Sequence, residues 1–286
     1  PAERGRDWAR LAADVAAEPA AAVLAHVAVA SAELVSHWQR VGFVHGVLNT
    51  DNMHLAGLTI DYGPFGWMEV FDPDYTPNTS DTHSRYCYAA QPAMVRWNLV
   101  ALAQALAPLC RDSQQLADGL AAYARQLAQC RLRDAAAKLG LPGGPEALAL
   151  QLRWEGLMAQ AQLDMSLAYR ALARVRGDNA LASTPSLLFA NAITAPSAFA
   201  QAQEALLAWL DDYRLAVAAH GQEAAVRVAA MNAVNPWLTP RNWLLHRAAQ
   251  AAARNDLQPL QRLSQALQQP YVENPAMADL VAVCPP

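Results

Sequence analysis

Cysteine is scarce and scattered in this chain, with four in 286 residues at positions 87, 110, 130 and 284 and no Cys-x-x-Cys pair. That spacing excludes a disulfide framework and a paired-thiol zinc site, and fits reduced, mostly buried thiols in a cytoplasmic protein. Charge is sparse as well, at 16% of residues with a formal net charge of −4. Without a basic stripe to neutralise phosphates, the chain is not expected to bind nucleic acid. Its densest basic cluster, Arg125, Arg131, Arg133 and Lys138, reads as a solvated helix face. No apolar run approaches the roughly 18–20 residues of a membrane span, and the charged N-terminal segment lacks a signal-peptide pattern, so no membrane partner is expected. A glycine-rich phosphate loop is also missing from the 44 residues before His45, whose basic side chains are Arg4, Arg6, Arg10 and Arg40.

What the chain has is apolar content, 54% of residues, enough for a sizeable core. Trp8, Leu11, Ala12 and Val15 give residues 7–18 an apolar face, and after Pro19 the three- and four-residue spacing of Val23, Leu24, Val27, Leu34, Val35 and Trp38 predicts a helix ending at Gly42. Residues 41–44 and 55–60 read as short strands. Residues 61–92 are rich in Gly, Pro, Asp, Asn and Ser and too long for a passive connection. Beyond them, periodic alanine- and leucine-rich segments predict helices over 93–107, 112–138, 145–175, 197–219, 222–232, 241–254 and 256–268, separated by Pro and Gly breaks.

Two short apolar runs end in oxygen-bearing side chains: Val44-His45-Gly46-Val47-Leu48-Asn49-Thr50-Asp51-Asn52-Met53, then Leu58-Thr59-Ile60-Asp61-Tyr62-Gly63. Asn52 and Asp61, nine positions apart, have the residue types and order with which kinase-like enzymes hold Mg²⁺ against ATP phosphates. Mg²⁺ takes hard oxygen ligands from one or two side chains plus phosphates, and this pair supplies them. A short hairpin through His54 to Leu58 would join the two loops. The position where a kinase carries its proton-accepting Asp holds Val47, which leaves Asp51 as the nearby carboxylate able to take a proton. Each residue also has a plainer reading: Asn52 as a turn or cap, Asp51 as a cap or second-metal ligand, and Asp-Tyr-Gly as a chance turn.

The stretch from His45 to Met53 and the run Gly57-Leu58-Thr59-Ile60-Asp61-Tyr62-Gly63-Pro64-Phe65-Gly66 resemble the selenoprotein O family of kinase-like protein adenylyltransferases. The likeness continues through Phe71-Asp72-Pro73, Asn78-Thr79-Ser80-Asp81, Arg85-Tyr86, Gln91-Pro92-Ala93 and Trp97-Asn98-Leu99, and more loosely through Asp164 to Leu172 and Asn235-Pro236 with Arg241-Asn242-Trp243-Leu244. The resemblance implies transfer of AMP from ATP to Ser, Thr or Tyr hydroxyls of proteins, with release of pyrophosphate. It implies Asp51 as the base, Asn52 and Asp61 as ligands of Mg²⁺ (or Mn²⁺), and Asp61 as the contact to ATP through that metal. The expected fold is mainly α: the C-terminal lobe of a protein-kinase-like fold with a short β hairpin at the site and a helical extension. Residues 1–110 would hold the catalytic loop, metal loop and activation-like segment, and 111–286 the remaining helices. The resemblance also implies that the chain begins partway through a family member and lacks the redox tail that follows a Pro-Pro segment. A kinase-like phosphotransferase and a catalytically silent helical binding module are the alternative functions.

Other residues take structural expectations. His45 should brace its loop, His54 and His83 should be exposed, and Gly46, Gly63 and Gly66 should adopt conformations a Cβ opposes. Asp72, Asp74 and Asp81 read as a self-capping loop. Arg85 should pair with an acidic loop residue, or else face a phosphate. Asp164, Tyr169 and Arg170 should brace one helix, and Arg241 and Asn242 should start another against Trp243.

Overall fold

The computed structural model describes residues 18–176 and 184–284, so the helix expected over 7–18 lies outside the described residues except for its last position. The described chain is mainly helical, in the order α1 (Pro19–Val41), β1 (Phe43–Val44), β2 (Met53–His54), β3 (Leu58–Thr59), β4 (Gly66–Trp67), α2 (Gln91–Leu106), α3 (Ser113–Leu139), α4 (Pro145–Ala161), α5 (Met165–Leu172), α6 (Pro185–Leu188), α7 (Pro196–His220), α8 (Ala224–Val234), α9 (Asn242–Ala252) and α10 (Gln258–Leu267). It divides into two compact units. One comprises the described residues within 1–39, 44–65 and 74–131; the other comprises those within 40–43, 66–73 and 132–286.

In the first unit α1 buries Ala21, Leu24, Ala28, Ala32 and Val35, the spacing of one helical face. Leu24 and Ala21 pack with Ala103 and Leu116. The alanines also let the hairpin come close: a Cβ on Gly57, at φ +70°, would stand 2.3 Å from the Ala30 Cβ. The hairpin is two very short antiparallel strands, Met53 opposite Thr59 and His54 opposite Leu58. Residues 55–60 therefore are not one strand; Gly57 turns the chain in the middle, with its N–H bonded to the His54 carbonyl at 2.9 Å. A second correction concerns membranes. By length and composition α1 is apolar enough to cross one, because alanine and valine hold the mean hydropathy of an 18-residue stretch of it at 1.5 although polar residues interrupt it; half of that stretch is buried inside the protein.

The second unit is built around stacked aromatics. Trp154 lies 4.7 Å from Trp209 and 5.3 Å from Phe189 between ring centroids, and Trp209 stacks on Tyr213 at 5.1 Å. Two of the polar tips are paired, Trp209 Nε1 donating to the Leu150 carbonyl at 3.0 Å and Tyr213 OH to the Leu139 carbonyl at 2.7 Å, whereas the buried Trp154 Nε1 has no hydrogen-bond partner among the described residues. The helix expected over 145–175 is two helices. Gln162 adopts a left-handed conformation that ends α4, and the Asp164 carboxylate caps α5 by accepting from Leu167 N at 2.9 Å. Asp164 is also paired with the Arg241 guanidinium, both side chains being 1% exposed, and Glu69 lies 3.5 Å from Arg241. Arg241 thus does more than start α9.

Of the expected solvated basic face, Arg125, Arg131 and Arg133 are exposed but Lys138, the chain's one lysine, is buried. Its Nζ donates to the Arg40 carbonyl at 2.5 Å and sits 3.7 Å from the centre of the Tyr169 ring. Burial pushes this amine down to about 7, with Glu155 opposing the shift. Periodicity located the helix but not which face of it the neighbouring elements cover.

Candidate functional site

The loop between β1 and β2 is held by its backbone carbonyls. Gly46 has φ +79°, and a Cβ there would meet the Pro64 carbonyl oxygen at 2.6 Å, so glycine is required. Asn78 Nδ2 donates to Gly46 O and Asn98 Nδ2 to Leu48 O, both at 3.0 Å, while Tyr86 OH donates to Asn49 Oδ1. Gln91 accepts from His45 N at 3.0 Å. Of the three glycines expected to need special conformations, Gly46 has a positive φ; Gly63 and Gly66 do not.

His45 is fully buried and fills the bracing role expected of it. Nδ1 accepts from Val47 N at 3.3 Å and Nε2 faces the Ile60 carbonyl at 3.0 Å, a pair of partners that selects the neutral imidazole protonated on Nε2. Burial lowers its pKa, opposed by the Ile60 carbonyl and Asp61. One ring therefore fastens the first loop to the residue immediately before Asp61.

Asn52 and Asp61 come together. Asn52 is buried, closing the 3₁₀ turn Thr50–Asn52; its Nδ2 donates to Val47 O at 2.8 Å and lies 3.5 Å from Asp61 Oδ2. Because a carbonyl and a carboxylate both face the nitrogen, the amide orientation is fixed, and Oδ1 has no hydrogen bond among the described residues. The next loop is tied to the same residue through Ile60 N to Asn52 O at 3.0 Å. Asp61 is exposed and takes φ +61°, a left-handed conformation that Asp tolerates better than most residues. Asp51 is exposed beside Asn52. A free amide oxygen and a solvent-facing carboxylate are two hard donors, a set that fits Mg²⁺ completed by phosphate oxygens and water. Among the described residues no group of three or more His, Cys, Asp or Glu side chains could hold a metal unaided.

The segment 74–90 caps itself at Asp81, whose carboxylate accepts from Arg85 N at 3.0 Å and Tyr86 N at 2.8 Å. The Arg85 side chain does not pair with that carboxylate. Its guanidinium rests on Trp97 and Tyr86, 5.1 and 5.6 Å from their ring centres. His54 and His83 are exposed as expected. Sequence reasoning missed the side-chain braces from Asn78, Gln91 and Asn98, although all three fall in the stretches that carried the family resemblance; it also missed Glu69 beside Arg241. None of the four cysteines forms a disulfide among the described residues; Cys87 and Cys130 are buried, Cys110 is half-buried and Cys284 exposed.

The family model described as protein adenylyltransferase SelO matches residues 10–268. Curated relatives named protein nucleotidyltransferase YdiU are similar over most of this chain. That of Tolumonas auensis is 42% identical over 94% of this chain and 51% of its own length, that of Azoarcus sp. 41% identical over 88% and 48%, and that of Rhodopirellula baltica 38% identical over 92% and 51%. The chain thus spans about half the length of the curated relatives it matches. With a family model covering most of its residues, the chain belongs to the SelO family of protein adenylyltransferases.

Proposed function

We propose that the protein transfers AMP from ATP to Ser, Thr or Tyr hydroxyls of proteins, releasing pyrophosphate. The observation that carries this reading is the Asn52–Asp61 pair, with an unspent amide oxygen and an exposed carboxylate beside Asp51, in a chain of this family. Asn52 Oδ1 and the Asp61 carboxylate would hold Mg²⁺ (or Mn²⁺), which when bound offsets phosphate charge. Asp61 would reach ATP through that ion. Asp51, exposed at the turn, would accept the proton of the acceptor hydroxyl. The hydroxyl oxygen then bonds to the α-phosphorus, the bond from that phosphorus to the bridging α–β oxygen breaks, and pyrophosphate leaves with the electron pair. His45 and Val47 O hold the two loops in register for this step without touching the reactants.

In this reading the helices and hairpin are the C-terminal lobe of a kinase-like fold, with residues 1–110 around the site and 111–286 as the helical remainder, working in a reduced cytoplasmic compartment. Val47 at the usual kinase base position speaks against ordinary phosphorylation. Paired incubations with ATP labelled at the α or the γ phosphorus test the reading. Label from the α position should appear on protein and fall by about 10²–10⁴-fold in Asp51→Asn. Label transferred from the γ position instead would make the protein a phosphotransferase.

A further inference from the structure

Two sequence landmarks left unused by the metal pair, Arg85-Tyr86 and Trp97-Asn98-Leu99, meet in the first unit. The Arg85 guanidinium lies over the Trp97 and Tyr86 rings, 5.1 and 5.6 Å from their centres. Arg85 is exposed, and Trp97 is 53% exposed. Rings satisfy the flat faces of a guanidinium and leave its N–H edges available. Among the described residues no carboxylate takes those edges. Asp81, four positions away, has both oxygens occupied by the backbone N–H groups of Arg85 and Tyr86. The result is a fork held in place by stacking, with its donors unspent, a preorganised receptor for an oxyanion.

Its position ties it to the reacting end of the site. Tyr86, the ring beneath the guanidinium, donates its hydroxyl proton to Asn49 Oδ1, two residues before Asp51. Asn78 fastens the same segment to Gly46 O at 3.0 Å. In a chain of net charge −4 whose site carries Asp51 and Asp61, an acidic ligand gains attraction only where a cation stands free. The exposed indole beside this cation offers apolar area to a peptide backbone.

We infer that Arg85, seated on Trp97 and Tyr86, is a specificity-determining contact that receives an acidic side chain of the protein substrate near the hydroxyl to be modified. This rests on the adenylyl transfer proposed above. The shared chemistry is an oxyanion; the source assigned here is a Glu or Asp of the substrate, since phosphate charge has its own place at Asn52 and Asp61.

Binding of two synthetic peptides, each with a central Tyr flanked by Glu in one and by Gln in the other, tests this without relying on turnover. Fluorescence anisotropy would be read for the wild type, Arg85→Ala, Arg85→Lys and Asp61→Ala, with pyrophosphate as a separate ligand. The Glu peptide is expected to bind the wild type more tightly than the Gln peptide and to lose about tenfold in Arg85→Ala. Arg85→Lys should fall between, keeping the charge without the fork. Asp61→Ala, which removes a negative charge from the site, should bind the Glu peptide at least as tightly as the wild type, so that a failure of the metal reading is seen separately from a failure of this one. Equal binding of both peptides, no peptide binding, or an unchanged affinity in Arg85→Ala overturns the inference. So does pyrophosphate binding that needs Arg85 while Glu-peptide binding does not.

Discussion

His45 Nε2 stands 3.0 Å from the Ile60 carbonyl, so one buried imidazole joins the loop that bears Asp51 to the loop that bears Asp61. The partner is a carbonyl, and the other ring nitrogen already accepts from Val47 N. A proton added to Nδ1 would break that acceptor and place a charge in a buried site.

His45 has a folded pKa below its ordinary value of 6.5, chiefly through burial, so the unfolded chain takes up a proton first as the pH falls. Its contribution to stability is fully present above pH 6.5 and is lost as the pH drops from there through the depressed folded value. Urea unfolding at pH 8 and pH 5.5 should show a larger loss for the wild type than for His45→Gln, which cannot titrate. An equal loss in both would remove His45 as the cause.

Lys138 predicts a second dependence in another window. With the amine pushed down to about 7 from 10.5, the folded state sheds a proton that the unfolded chain keeps. Stability should therefore rise with pH between about 7 and 10.5, by a few kcal/mol in order of magnitude. In Lys138→Met that rise should be smaller by the same amount, and the variant should be more stable than the wild type at pH 7. Identical pH profiles would show that the ammonium is not desolvated.

Asp164 and Arg241 are a buried ion pair, each 1% exposed, with Glu69 at 3.5 Å as a third member. Removing one partner leaves a buried charge. Arg241→Met should cost about 3–5 kcal/mol in equilibrium unfolding. The double variant Asp164→Leu with Arg241→Met should recover much of that loss. If the single change costs under about 1 kcal/mol, water rather than the pair carries the charge.

The helices were legible because three- and four-residue spacing survives in Leu24, Val27 and Val35 whatever packs against them. The closeness of Asn52 and Asp61 was legible because they sit in two loops joined by a hairpin too short to separate them. Lys138 was not, since its burial depends on Arg40, 98 positions away. Gln162 likewise breaks a helix with a residue that carries no breaker signal, and only the cap at Asp164 hints at the restart. Arg85 defied the expected ion pair because backbone N–H groups claim Asp81 first.

The Asn52–Asp61 metal site is tested most directly by titrating Mn²⁺ with ATP against the protein and following the electron paramagnetic resonance of the bound ion. If Asn52 and Asp61 form the metal–nucleotide site, the wild type binds the complex, and Asn52→Ala and Asp61→Ala each weaken it by about tenfold or more while the helical circular dichroism is unchanged. Mn²⁺–ATP binding of equal strength in the wild type and both variants would contradict the account.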